Sequence, residues 1–242
     1  MHGSLHTSNF SSAMVTRNKA YWVDKIGEDW TIALRDILKS PYMDKLLNFL
    51  AMEAAFKNIY PNSNDLFKTL KAVSLNDVRV IVSYKEPGIN SSIFPMMRDD
   101  TYIDTYAHAN YMAISHCINR EYPDNGVFNF DHFPEEWQRQ GVMLLPRAFT
   151  VLADQSGAHL VQWRRFYEAV LEAVVREKPG VIWMLWGDEP KEYSTKLNNQ
   201  YVYSWECPST AVKENRDWHC PNFKQANELI SKLNGDSFKI TW

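Results

Sequence analysis

The chain has 242 residues, within the range of one large α/β domain, and 45% of them are hydrophobic, enough to build a substantial core. A net charge of −3 argues against a protein that coats nucleic acid through sheer basicity, while leaving room for a local basic patch. Three cysteines are too few for a disulfide framework, suit a reducing compartment, and cannot supply the four thiolates of an iron–sulfur cluster.

In chain order, residues 1–20 are rich in Ser and Asn and lack the continuous apolar run of a signal peptide. They read as a flexible N-terminal extension ahead of a single domain over 21–242. Helix-like patterns lie around 30–39, 44–57 and 64–72. Residues 78–83 then form a short apolar run bounded by polar residues, the signature of a buried strand, and 141–145 repeats it. The segment 160–178 places Trp163, Phe166, Tyr167, Val170, Leu171 and Val174 at three- and four-residue spacing, which predicts an amphipathic helix. A third strand is predicted at 181–186 and a weaker fourth at 201–204. A second amphipathic helix over 222–233 carries Phe223, Ala226, Leu229, Ile230 and Leu233. Strands separated by helices predict an α/β fold, a central parallel four-stranded sheet flanked by helices. No run is long and apolar enough to span a bilayer, so an intracellular protein is expected, cytoplasmic or, in a eukaryote, nuclear.

Open α/β sheets bind ligands outside the carboxyl ends of their strands. Those loops read Tyr84-Lys85-Glu86-Pro87-Gly88-Ile89-Asn90, Pro146-Arg147-Ala148-Phe149-Thr150, Gly187-Asp188-Glu189-Pro190 and Glu206-Cys207-Pro208-Ser209-Thr210. Four segments, NIYPNSNDLFKTLKAVSLNDVRVIV, EEWQRQGVMLLPRAFTV, GVIWMLWG and CPSTAVKENRDWHCPNFKQANELI, resemble in order and spacing segments of family-1 uracil-DNA glycosylases. The resemblance runs from about Trp30 to Trp242. It implies the family's fold, hydrolysis of a base–sugar bond after base flipping, DNA as the partner, action as a monomer, and no cofactor.

The departures from the family pattern carry the specific expectations. Where the family has Gly-Gln-Asp-Pro-Tyr-His-Gly, this chain has the run from Tyr84 to Asn90. The resemblance thus puts Glu86 in place of the catalytic aspartate and Gly88 in place of the tyrosine that walls off C5 of uracil. Pro146 replaces the asparagine that reads the uracil edge, Cys207 the histidine that opens the Pro-Ser loop, and Ala211 the leucine wedge. Phe94 corresponds to the phenylalanine that stacks on the base. Pro208 and Ser209 keep the phosphate-gripping Pro-Ser element.

Chemically, Glu86 retains a carboxylate able to stabilise positive charge on the sugar or orient water. A Cys207 thiol is a weak donor to the departing base, and His159 is the spare imidazole, with a helix-start role as the simpler reading. Pro146 has neither N–H nor amide and cannot read a base edge. Gly88 opens the C5 wall, although a glycine also suits the turn after Pro87. Lys85, Lys213 and Arg216, with Arg98 and Arg147, are the candidate DNA-path cations, although isolated basic residues are usually solvated surface. Trp218, in a polar loop, is a candidate base or partner contact. Cys207, His219 and Cys220 do not make a zinc site: the spacing is unusual, two are adjacent and a fourth ligand is missing. Two functions follow. One is a glycosylase for a C5-modified pyrimidine, hydroxymethylated or glucosylated, with a role in phage–host conflict because such bases abound in viral DNA. The other is an inactive pseudo-glycosylase serving as a DNA- or protein-binding module.

Overall fold

The computed structural model describes residues 17–88, 105–125, 134–153 and 155–242. Among the described residues there are six strands: β1 (Ile59–Tyr60), β2 (Val80–Tyr84), β3 (Val142–Pro146), β4 (Val151–Leu152), β5 (Ile182–Trp186) and β6 (Tyr201–Trp205). Four of them form the expected parallel sheet, in the order β3-β2-β5-β6. The antiparallel pair β1–β4, with Ile59 opposite Leu152, was not expected. Two residues per strand give no alternation to read.

Both sheet faces are covered, which is why three of the strands read as continuous apolar runs rather than alternating ones. Ile81, Met143, Leu145, Trp183 and Leu185 point to one face and join a core with Trp163, Phe166, Tyr167 and Val170 of the helix Leu160–Glu177. Val80, Val82, Tyr84, Leu144, Met184 and Trp186 point to the other and pack with the helices Thr105–Glu121 and Asn222–Asn234. In the second of these helices Phe223, Ala226 and Ile230 are buried as predicted, whereas Leu233 is exposed in the last turn.

The helix Lys19–Ile26 begins inside the segment read as an extension. Asn18 caps it by accepting the Tyr21 N–H at 3.0 Å, so the packed fold starts slightly before residue 21. The pattern at 30–39 resolves into two short helices, Glu28–Ala33 and Arg35–Leu38. Among the described residues no helix is long and apolar enough to cross a membrane.

Candidate active site

A cleft of about 700 Å³ opens at the carboxyl ends of β2, β5 and β6, bounded also by Val151, Leu152, Ala153, Gln155 and Ser156 and by Asn110. Its rear is rigid. The β2–β3 ladder continues past the strand, with the Arg147 N–H donating to the Tyr84 carbonyl (2.8 Å) and the Ala148 N–H to the Lys85 carbonyl (3.0 Å). Glu86 therefore emerges from a backbone pinned on one side and followed by Pro87.

The Glu86 side chain is buried yet lines the cleft. One oxygen accepts from the Ser156 hydroxyl at 2.5 Å and the other from the Gly157 N–H at 2.8 Å. These bonds fix the carboxylate's plane. Each oxygen keeps a further lone pair, so the group can still face a cation or a water. Ser156 and Gly157 were not singled out from sequence; the only signal was a polar, glycine-containing turn ahead of a helix. Lys85 also lines the cleft, with its ammonium 3.1 Å from Glu189. Tyr84 forms part of the lining, and burial holds its phenol well above the ordinary value, so it stays protonated.

From β6 the chain runs through Cys207 into the helix Pro208–Lys213, with proline at its start, where a missing N–H does no harm. The Ser209 hydroxyl donates to Cys207 Sγ at 3.1 Å. Cys207, Pro208, Ser209 and Lys213 all line the cleft, as does Gly88.

Other expected site residues lie elsewhere. His159 is buried, with Nδ1 2.8 Å from Thr150 Oγ1 and Nε2 2.7 Å from Glu53 Oε2. Both ring nitrogens are engaged below the loop and the residue does not line the cleft, so it positions the start of its helix instead of acting as the spare acid–base. Ala211 is fully buried in the core that includes Ile114 and Trp186, so this helix presents no wedge at that position. Arg216 forms a forked pair with Glu206 and a second pair with Glu214; these bonds raise its pKa and satisfy its charge within the protein. In turn Arg216 holds the Glu206 carboxyl below the ordinary range. Trp218 is core: it is 1% exposed, its indole N–H donates to the Glu206 carbonyl, and it packs edge-on against Trp186. Pro146 ends β3 opposite Tyr84, buried and outside the cleft lining. Arg147 is held against Tyr193 and Glu192. Cys220 is buried beside Cys117 while His219 is exposed, and among the described residues no group of three metal-ligating side chains is brought together. Phe94 and Arg98 lie outside the described residues.

Asn110, in the helix Thr105–Glu121, is a cleft residue that sequence reasoning missed. A single asparagine in a helix with weak amphipathic contrast carries no signal of its own.

No family model matches the chain. It is 27% identical over 215 residues to a protein named uracil-DNA glycosylase 2 from Listeria monocytogenes serotype 4b, covering 86% of this chain and 93% of that one. A protein named uracil-DNA glycosylase from Chlamydia abortus is 25% identical over 228 residues, covering 89% and 95%. Among solved structures, the mimivirus uracil-DNA glycosylase superposes with a TM-score of 0.71 at 14% identity, covering 88% of this chain and 86% of that one. The wild-type UNG from Nitratifractor salsuginis gives 0.57 at 17% identity, covering 91% and 95%. The architecture is that of these proteins.

Proposed function

The chain belongs to the uracil-DNA glycosylase superfamily, and from that premise we propose that it is a DNA glycosylase that hydrolyses the N-glycosidic bond of a flipped, C5-modified pyrimidine rather than of uracil. One observation carries the reading: a fixed, buried carboxylate, Glu86, shares a roomy cleft with Gly88, where the family has a tyrosine. Breaking the base–sugar bond builds positive charge on the sugar, and a carboxylate held in place beforehand stabilises it without reorganising. The same group orients the attacking water. With a thiol at Cys207 in place of an imidazole, help to the departing base is weak, so the burden falls on Glu86. A cleft of about 700 Å³ fits a base that brings its own substituent. Bases of this kind abound in viral DNA, which makes defence against phage the natural setting.

The buried Ala211 and the internally neutralised Arg216 favour a second reading, a fold kept for binding without excision. An abasic-site assay decides between them. Oligonucleotides carrying uracil, 5-hydroxymethylated or glucosylated pyrimidines are incubated with the protein and then cleaved with alkali. Strand scission at a modified base and not at uracil is expected. Uracil excision at a rate comparable to an authentic family member would sink the altered specificity, and scission on none of the substrates would leave the binding module.

A further inference from the structure

An enzyme that extrudes a base also has to hold the bases left beside the gap. Ala211 is fully buried and cannot do so. Single exposed apolar residues are ordinary, whereas a group of them beside a binding cleft marks a contact surface. Among the described residues seven large apolar side chains are exposed. Four of these lie towards the amino ends of the sheet strands, away from the cleft. Ile32 precedes Ala33, whose carbonyl accepts from Arg176 in the last turn of the helix Leu160–Glu177. Tyr201 opens β6. Leu233 is in the last turn of a helix whose first residue, Asn222, meets Trp186 at the cleft end. The Phe238 carbonyl accepts from Arg79, just ahead of β2.

The other three, Met52, Phe56 and Val161, lie at the carboxyl ends, where the cleft opens. Phe56 is 91% exposed. At most about 7 Å of backbone separates it from Asn58, whose carbonyl accepts the N–H of cleft-lining Ala153 at 3.0 Å. Glu53, next to Met52, bonds to His159, and Val161 follows two residues later. That helix begins just after the Ser156–Gly157 turn that holds Glu86.

Cations interleave with this apolar group. Lys45, Phe49, Met52 and Phe56 succeed one another every three or four residues, along one face of the helix Pro41–Ala54 and the turn that continues it. Lys45 is exposed, and Arg165 of the neighbouring helix lies over the Tyr42 ring at 4.9 Å. Among the described residues neither cation meets a carboxylate, whereas the nearby acids are already paired, Asp44 with Arg17 and Glu53 with Lys57 and His159. An apolar and aromatic surface with free cations suits a nucleic-acid strand, whose bases stack and whose phosphates need counter-charge. A protein partner fits it less well, because lysine is depleted where proteins meet.

Resting on the glycosylase reading, we infer that the face carrying Lys45, Met52 and Phe56 continues the cleft as a nucleic-acid contact, on which Phe56 stacks against a base flanking the extruded one.

The test uses the full chain and fluorescent single-stranded oligonucleotides, with affinities read by polarisation. One probe carries 5-hydroxymethylcytosine among ordinary bases. The second has the same phosphates and the same central base but no other base. Phe56→Ala should weaken binding to the first probe about fivefold or more and to the second less than twofold. Phe56→Trp should bind both at least as well as the wild type. The salt slope should stay unchanged in Phe56→Ala and flatten in Lys45→Glu. Phe238→Ala, at the far end of the sheet, should change neither affinity nor slope. Because Phe56 is so exposed, the thermal midpoint of Phe56→Ala should match that of the wild type. Equal loss on both probes, loss on neither, or no binding of the wild type to the first probe overturns the inference. So does a dimer in sedimentation that Phe56→Ala dissociates while DNA affinity stays unchanged, which would give this face to a second copy. The glycosylase reading fails separately, if no modified base is excised while the base-dependent loss in Phe56→Ala stands.

Discussion

Replacing Glu86 with glutamine removes a charge from the cleft while changing almost nothing else. The native carboxylate accepts from the Ser156 hydroxyl and the Gly157 N–H. A glutamine can keep both contacts: its carbonyl meets the Gly157 N–H, and its amide donates to Ser156, whose hydroxyl rotates to accept. What is lost is the charge assistance of two hydrogen bonds, about 1 kcal/mol each when charged bonds of about 1.5–3 kcal/mol become neutral ones of about 0.5–1.5. The fold survives such a loss, since whole domains carry about 5–15 kcal/mol. Catalysis fares worse, because a preorganised electrostatic partner contributes about 10²–10³ in rate, or roughly 2.7–4 kcal/mol. Single-turnover abasic-site formation on the best substrate of the modified-base panel should therefore fall at least a hundredfold in Glu86→Gln. Thermal midpoint and affinity for an abasic oligonucleotide should move little. A glutamine variant within twofold of wild type would show that the carboxylate only props up the 155–157 turn, and the mechanism would be wrong.

Three further outcomes are expected. Gly88→Tyr restores a bulky wall and should depress excision of a glucosylated base more than of a hydroxymethylated one; equal depression of both would mean that Gly88 does not face the substituent. DNA binding should weaken with salt; Lys213→Glu should reduce affinity and flatten the log–log salt slope by roughly one or more, whereas Arg216→Glu should leave the slope close to wild type because Arg216 already spends its charge on Glu206 and Glu214. Burial pushes the Glu53 carboxyl up, but its bonds to Lys57 and His159 outweigh this and hold it below its ordinary value, so its stabilisation is full above about 4.3 and is lost as pH falls through the lower folded value. His159→Phe removes one of those bonds and should move the acid-unfolding midpoint to higher pH and lower the thermal midpoint without reshaping the pH–rate profile; a changed profile would return His159 to the chemistry.

The parts of the fold that were legible in the sequence are those where one physical signal dominates. Three strands, β2, β3 and β5, show as apolar runs because both faces of the sheet are buried there, and the helix Leu160–Glu177 shows because its stripe is unbroken. The helix Thr105–Glu121 did not: Tyr111, Ile114 and Ile118 keep the spacing, but Asn110, Ser115 and Cys117 share the buried face and dilute it. Of the cleft lining, Glu86 and the Cys207 loop were legible because ligands bind outside strand ends in such sheets. Trp218 and Arg216 were misread because a polar stretch of sequence was equated with solvent. In fact Trp218 packs against Trp186 and Phe223 and bonds to the Glu206 carbonyl, and the acids near Arg216 in sequence are its partners in space. Sequence alone does not separate a cation that waits for phosphate from one already paired a few residues away.

That distinction bears on how the protein would grip DNA. Around the cleft, Lys85 is tied to Glu189 and Arg216 to Glu206, so much of the positive charge is balanced before any phosphate arrives. Phosphate attraction sets non-specific affinity, and a protein that has balanced its cations gives up part of it. It also gives up searching efficiency unless something else selects the target. A base with its own substituent offers that something: more surface to bury, and contacts that an ordinary base cannot make. On the proposed function, partly balanced cations and a capacious cleft would belong to one arrangement, in which recognition shifts from the backbone to the extruded base. The arrangement makes a quantitative demand. The affinity gained from the modified base over an abasic site should exceed the affinity lost on raising salt from about 50 to 200 mM, which is about 10³-fold for a protein making roughly six phosphate contacts and far less for one making two or three. Both slopes come from one polarisation titration, and the reverse ordering would place recognition back on the phosphates.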